Sequence, residues 1–260
     1  MKNKLYYFLP TLFGTALLLS WELIILIFQT PIYIMPAPSD ILISLWQNHV
    51  NLLGSLFITI KVTLTALTLA SVSGAGLAIF LVQSKVIERT FFPYAIFLQV
   101  TPIVTIAPFI IIWVDDIFLV LLILAWMAAV FPIISNTLLG LKTVDPNLHD
   151  LFKLYNSSKL QVLRFLLLPN ALPYFLGGLR ISGGLALIGT VVAEMVAGTS
   201  GQDSGIASRL LEASYRLDLA KALACFILLS ITGYMIYCGL DLLSKKVLVK
   251  WHNSSQAETK

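Results

Sequence analysis

The sequence predicts an all-α integral membrane protein with about six transmembrane helices, and three observations carry that reading. The chain of 260 residues is 58% hydrophobic and only 12% charged, far from the roughly half apolar and quarter charged balance of soluble domains. Six apolar segments, 7–29, 54–82, 91–113, 117–140, 174–198 and 220–244, each reach the roughly 20 residues that cross about 30 Å of hydrocarbon as a helix. Finally, with both ends placed in the cytoplasm, twelve basic residues fall inside (Lys2, Lys4, Lys85, Arg89, Lys142, Lys153, Lys159, Arg164, Lys245, Lys246, Lys250 and Lys260) against Arg209, Arg216 and Lys221 outside, which is the positive-inside bias. The runs are too long for barrel strands, and lipid gives an open backbone no partners. One membrane domain over 1–260 is expected, ending in a polar tail at 251–260.

Taken in order, the run Leu5 to Phe28 follows Lys2 and Lys4 but is longer than a signal-peptide core and has no A-x-A-like site, so it reads as a retained first span. Pro31 and Pro36-Ala37-Pro38-Ser39-Asp40 end it. Ser39 then reads as the N-cap of a short helix whose Ile41, Leu42, Leu45 and Trp46 suit either the membrane interface or the side of the bundle. Small residues collect in the second span (Ser71, Ser73, Gly74, Ala75, Gly76, Ala78) and the fifth (Gly177, Gly178, Gly183, Gly184, Ala186, Gly189). They predict close helix approach, with a flexible, path-lining role as the rival. Pro102 and Pro108 interrupt the third segment, giving either a plain kink or a broken helix beside which Gln99, Thr101 and Thr105 line a cavity. Ser182 and Thr190 in the fifth span join these as candidate path residues.

Ionisable residues inside spans cost about 3 kcal/mol each on insertion scales and need partners or an interface. Lys61 and Glu194 sit at similar depth near the outer ends of the second and fifth spans, which predicts an ion pair. Arg180 reads as snorkelling or binding neighbouring helix ends, and Glu22 and Asp241 as reaching the interface; anchoring is the better reading for all five. Beyond the fifth span, 198–205 reads as a polar turn and 206–219 as a helix with Glu212 and Arg216 in the favourable i, i+4 order, either solvated or facing a partner.

The longest basic cytoplasmic segment, 141–173, reads as two short helices. Asp145 is an N-cap with Pro146 at the first helical position. Leu148, Leu151, Phe152 and Tyr155 recur at i, i+3, i+4 and i+7, and Asn156 tolerates the left-handed turn that ends a helix. Ser158 with Gln161 forms a capping-box pattern, and Pro169 is expected to stop the second helix. So short a unit must dock its apolar stripe either on its own spans or in a partner's groove.

Other classes fit less well. The basic residues are scattered, with no patch for nucleic acid. Cys225 and Cys238, 13 residues apart in one predicted helix, are too distant to pair. His49, His149 and His252 lie in separate loops or ends and build no metal or catalytic cluster. There is no G-x-x-x-x-G-K-[ST] phosphate loop, so no ATP hydrolysis is expected on this chain. A stand-alone secondary transporter is the alternative, but no convincing internal repeat or mid-span acid supports it.

The loop resembles that of permeases of binding-protein-dependent ABC importers, which carry Glu-Ala-Ala, three residues, Gly, nine residues, then Ile-x-Leu-Pro. Here the same spacing holds Asp150-Leu151-Phe152, Asn156 and Leu166-Leu167-Leu168-Pro169. Aspartate keeps the carboxylate and asparagine keeps access to the left-handed turn, whereas Leu151-Phe152 puts bulk where the family has alanines. Trp21-Glu22, Pro36-Ala37-Pro38-Ser39-Asp40, Leu172-Pro173-Tyr174, Gly178-Leu179-Arg180-Ile181 and Val192-Ala193-Glu194-Met195 narrow the resemblance to the sulfonate, taurine and nitrate branch. Asp115-Asp116 departs from the glycine common there.

The resemblance implies a type I, MetI-like permease in the bacterial inner membrane. It further implies a homodimer, two ATP-binding subunits beneath it that hold ATP and Mg, and an external substrate-binding protein. The permease itself would carry no cofactor. Asp150, Leu151, Phe152, Tyr155, Asn156, Ser157, Leu168 and Pro169 would form the ATPase-docking loop. The cargo would be a small organic anion such as a sulfonate or taurine, nitrate, or a pyrimidine-type vitamin precursor.

Overall fold

The computed structural model describes residues 2–197 and 204–249; the tail at 251–260 and most of the turn expected at 198–205 lie outside them. The elements are α1 (Lys2–Phe28), α2 (Pro38–Val82), α3 (Lys85–Val100), α4 (Ile103–Trp113), α5 (Ile117–Lys142), α6 (Pro146–Leu154), α7 (Lys159–Val162), a π turn (Leu163–Leu167), α8 (Leu168–Ala197), α9 (Ile206–Tyr215) and α10 (Leu219–Val249). Among the described residues, five helices are long and apolar enough to cross a membrane, and six if α3 and α4 count as one broken span. The residues cluster into two compact units, Met1–Ile58 with Thr199–Ser230, and Thr59–Gly198 with Ile231–Lys260.

In the first unit, α2 begins two residues earlier than its sequence signals. Pro38 takes the first helical position, where its missing N–H costs nothing, and the Asp40 carboxylate accepts the Ala37 N–H at 3.0 Å. Ser39 is therefore not the cap: its N–H and hydroxyl donate to Glu22 at 3.1 and 2.7 Å, which sets an anionic side chain at a helix N-terminus. No separate interfacial helix follows. The chain continues unbroken through 45 residues, about 65 Å of helix, because nothing between Trp46 and Gly54 offers a stop. Among the described side chains of α1 only Ile25 is buried.

The second unit is organised by α5 packed against α8. The small residues expected to allow close approach do so at two points. A Cβ on Gly189 would lie 2.8 Å from the Ala128 Cβ, and one on Gly178 would lie 2.8 Å from the Pro132 carbonyl oxygen. Between them the buried Ser182 hydroxyl donates to the Ala129 carbonyl at 2.6 Å. In α2, Gly74 likewise meets Ile133 of α5. Gly76, Gly177 and Gly184, by contrast, face open space.

Pro102 breaks the third segment and Pro108 does not. Thr101 and Pro102 lie between α3 and α4, which meet at 98°, while Pro93 and Pro108 are accommodated inside helices. Asp116, half of the unexplained acidic pair, caps α5 by accepting the Leu119 N–H at 2.9 Å.

Enlarging the seam should destabilise the fold selectively. Gly178→Val or Gly189→Val is expected to cost about 1–3 kcal/mol through overpacking and to lower the melting temperature in detergent. Gly177→Ala, in open space, should leave it unchanged or slightly raised. Thermal unfolding of the purified variants checks the contrast.

Candidate functional site

The loop between α5 and α8 is built from local codes that hold in three dimensions. Asp145 accepts the Asn147 N–H at 2.9 Å and Pro146 opens α6. At the other end Asn156 adopts φ 49. Asn156 N–H donates to the Lys153 carbonyl at 2.9 Å and Ser157 N–H to the Phe152 carbonyl at 3.0 Å, the paired bonds of a Schellman ending. Ser158 and Gln161 complete their capping box.

The second helix does not stop at Pro169, as the sequence signals suggest. It runs without interruption from Lys159 to Ala197. A proline inside an α-helix clashes with the carbonyl four residues back. Here the turn just before it is widened to π geometry, with the Leu168 N–H reaching back to the Leu163 carbonyl. Leu168 and Pro169 thus belong to the first turn of a span, and the loop holds one short helix.

α6 is a surface helix with no buried residue: Leu148, Leu151, Leu154 and the following Tyr155 are exposed, Leu154 and Tyr155 by 80% and 77%, and only Phe152 is half-covered. Its polar side chains are exposed as well, Asp150 and Lys153 by 68% and 66%, and with His149 they border an open groove beside Val82, Leu141, Val144 and Leu167. Lys153 bonds Asp150 at 2.9 Å and holds its carboxyl below the usual range. Two contacts that sequence patterning missed fasten the neighbouring helix ends: the Asn170 side-chain amide donates to the Gly140 carbonyl at 2.7 Å, and Lys142 pairs with Glu88. Polar side chains beside helix ends were the available signal.

The ion pair expected between Lys61 and Glu194 is not formed. Both residues sit at suitable depth, but Lys61 is exposed and stands over the Phe118 ring at 5.2 Å from its centroid. Glu194, fully buried, accepts instead from the Thr59 hydroxyl at 2.7 Å. One turn further on, the Thr63 hydroxyl lies 3.1 Å from that of Thr190. Thr59 and Thr63 are four apart, as are Thr190 and Glu194, so each pair shares a helix face; Lys61 is rotated about 200° away from Thr59. That double i, i+4 spacing was legible and overlooked.

The expected path residues separate into two kinds. Ser182 and Thr190 are buried and bonded within the unit, so they do not line an open path in this conformation. Gln99 and Thr105 are exposed and Thr101 half-exposed around the α3–α4 break. Arg180 and Asp241 do not reach the interface separately but pair at 2.7 Å, and Lys245 joins Asp241 at 2.8 Å. In the other unit, Arg216 bonds Glu212 at 2.8 Å in the spacing read from the sequence.

If the Thr59–Glu194 bond and not Lys61 holds α2 to α8, Lys61→Met should be neutral to within about 0.5 kcal/mol. Glu194→Ala should cost about 1–3 kcal/mol by leaving a buried hydroxyl and a void. Melting curves of the two variants in one detergent measure the difference.

Comparison with known proteins places these features. The chain is 28% identical over 256 residues to the formylaminopyrimidine transport permease protein ThiX of Halalkalibacterium halodurans, covering 96% of this chain and 98% of that one. It is 30% identical over 135 residues to the taurine transport system permease protein TauC of Escherichia coli, 52% and 47% of the two chains. The fold superposes with a TM-score of 0.62 on a chain of the inward-facing MetNI methionine ABC transporter, at 17% identity, covering 75% of this chain and 95% of that one. Residues 66–249 match the family described as binding-protein-dependent transport system inner membrane component. That span takes in α5, the loop with its exposed α6 and the whole of α8, and the chain belongs to this family: it is an ABC importer permease subunit of the type I, MetI-like fold.

Proposed function

We propose that the chain works as a homodimer with both termini in the cytoplasm, and that α6 of each copy is the handle by which a separate ATPase moves it. The observation that carries this reading is α6 itself, a short capped helix with no buried residue, on which Leu148, Leu151, Leu154 and the adjoining Tyr155 are all exposed. Exposed apolar side chains on a polar loop want a groove, and the resemblance of the loop spacing to that of ABC importer permeases supports an ATPase as the partner that supplies one. ATP and Mg would be bound and hydrolysed there.

Closure of two ATPases on ATP would draw the two α6 helices together. Because α6 lies between the ends of α5 and α8, the displacement enters that packed pair of spans directly. The spans would then tilt from inward-facing to outward-facing, an external binding protein would release its ligand into the path, and hydrolysis would reset the cycle. Gln99, Thr101 and Thr105 at the α3–α4 break would contact the cargo in passing. The cargo would be taurine or another sulfonate, nitrate, or a pyrimidine-type vitamin precursor; relatives named for formylaminopyrimidine, aliphatic sulfonate, taurine and nitrate transport support that range, and one named for riboflavin widens it.

Leu151→Asp in the full complex should cut transport at least tenfold, since a charge among the exposed apolar side chains of α6 removes a docking anchor. Insertion and expression should be unaffected. Uptake and ATP hydrolysis in proteoliposomes measure both halves of the coupling; unchanged transport would put the docking surface elsewhere, and transport by the chain alone, without an ATPase, would contradict the reading.

A further inference from the structure

Arg180 carries more donors than its one ion pair uses. It lies in α8 on the side of the loop, with a third of its side chain exposed, and its guanidinium bonds Asp241 of α10 at 2.7 Å. One such pair would neutralise both charges and tie the two helices. The chain adds a second cation: Lys245, one turn along α10 and 70% exposed, bonds the other oxygen of the same carboxylate at 2.8 Å. The cluster therefore carries an excess positive charge, and the Arg180 Nε–H is buried with no partner. Two cations around one carboxylate also leave further N–H donors on the exposed parts of Arg180 and Lys245 for another acceptor that reaches the surface.

The helix surface beside Arg180 is cleared for something to reach it. Gly177 and Gly184 flank it by three and four residues, and a Cβ at either would meet nothing within 4 Å. Glycine inside a helix costs about 1 kcal/mol relative to alanine. Packing within this chain accounts for that cost at Gly178 and Gly189 but not at these two. Between them, Ile181 is half-exposed. The result is a low, open strip of α8 bordered by a guanidinium with spare donors.

We infer that Arg180, Asp241 and Lys245 form an oxyanion site on the permease itself, in which an incoming sulfonate, carboxylate or phosphate group competes with Asp241 for the guanidinium fork. Planar guanidinium binds such groups through two parallel N–H···O bonds. The inference rests on the permease reading and sharpens it: a small acid passing along α8 would meet this cluster. The phosphate of an anionic lipid has the same chemistry and is the other source of the group.

Saturation-transfer NMR of methanesulfonate on the full chain in phosphatidylcholine nanodiscs tests this. Binding is expected for the unaltered chain, with a loss of about fivefold or more in R180Q and partial retention in R180K, which keeps the charge without the fork. D241N is the discriminating variant. In an oxyanion site, removing the competing carboxylate strengthens binding about threefold or more; in a merely structural ion pair, D241N weakens it in step with R180Q. No binding to the unaltered chain, no effect of R180Q, or a parallel fall in D241N overturns the inference, and monodisperse elution of each variant confirms that it has folded. Displacement by 20 mol% phosphatidylglycerol assigns the oxyanion site to a lipid headgroup, and persistence assigns it to a soluble acid. The permease is measured without its ATPase, so failure here leaves the α6 docking untouched, and failure of the Leu151→Asp test leaves this binding untouched.

Discussion

Everything in the larger unit depends on how closely α5 and α8 approach. In lipid there is little hydrophobic force between helices, so contact is bought with small side chains and the occasional interhelical hydrogen bond. Gly178, Gly189 and the Ser182 to Ala129 bond supply both along one seam. The loop that carries α6 is the connection between those same two helices, and Asn170 pins its far end to the Gly140 carbonyl. A pull on α6 thus acts on a packed pair of helices and not on a slack linker. The glycines hold the pair together, and the loop gives it a handle.

The prolines show where local sequence codes are decisive and where they yield. Asp145, Asn156, Ser158 and Gln161 behave as their codes predict, because capping is settled within four residues by groups the segment itself supplies. Pro38 and Pro169 were read as boundaries and proved to be parts of helices. Pro38 falls at the one helical position that tolerates it, and ahead of Pro169 a π turn absorbs the clash. The drive to satisfy backbone groups in lipid favours continuing a helix wherever geometry allows. Only at Pro102, with Thr101 extended before it, does the chain turn through 98°.

Depth along a span was legible and azimuth was not. Six apolar runs and their approximate ends could be counted from hydropathy, yet the pairing of Lys61 with Glu194 failed because depth was matched without asking which face each residue occupies. Thr59 and Thr63 against Thr190 and Glu194 answer that question by i, i+4 spacing alone. Glycines divide in the same way. Composition marks α8 as small-faced, but only neighbouring helices decide that Gly178 and Gly189 are packed while Gly177 and Gly184 are open. Interhelical partners such as Asn170 with Gly140, or Arg180 with Asp241, depend on the fold and stay invisible until it is known.

The account stands on the exposed apolar side chains of α6. Photocrosslinking from a benzoylphenylalanine placed at Leu154 or Tyr155, both exposed beside the end of the loop helix, and at Trp113, exposed just ahead of the opposite end of α5, reads their contacts in the assembled complex. Adducts to the ATPase from positions 154 and 155 and none from 113 are predicted. Adducts from 113 alone, or from none of the three while the complex remains intact and transports, would contradict it.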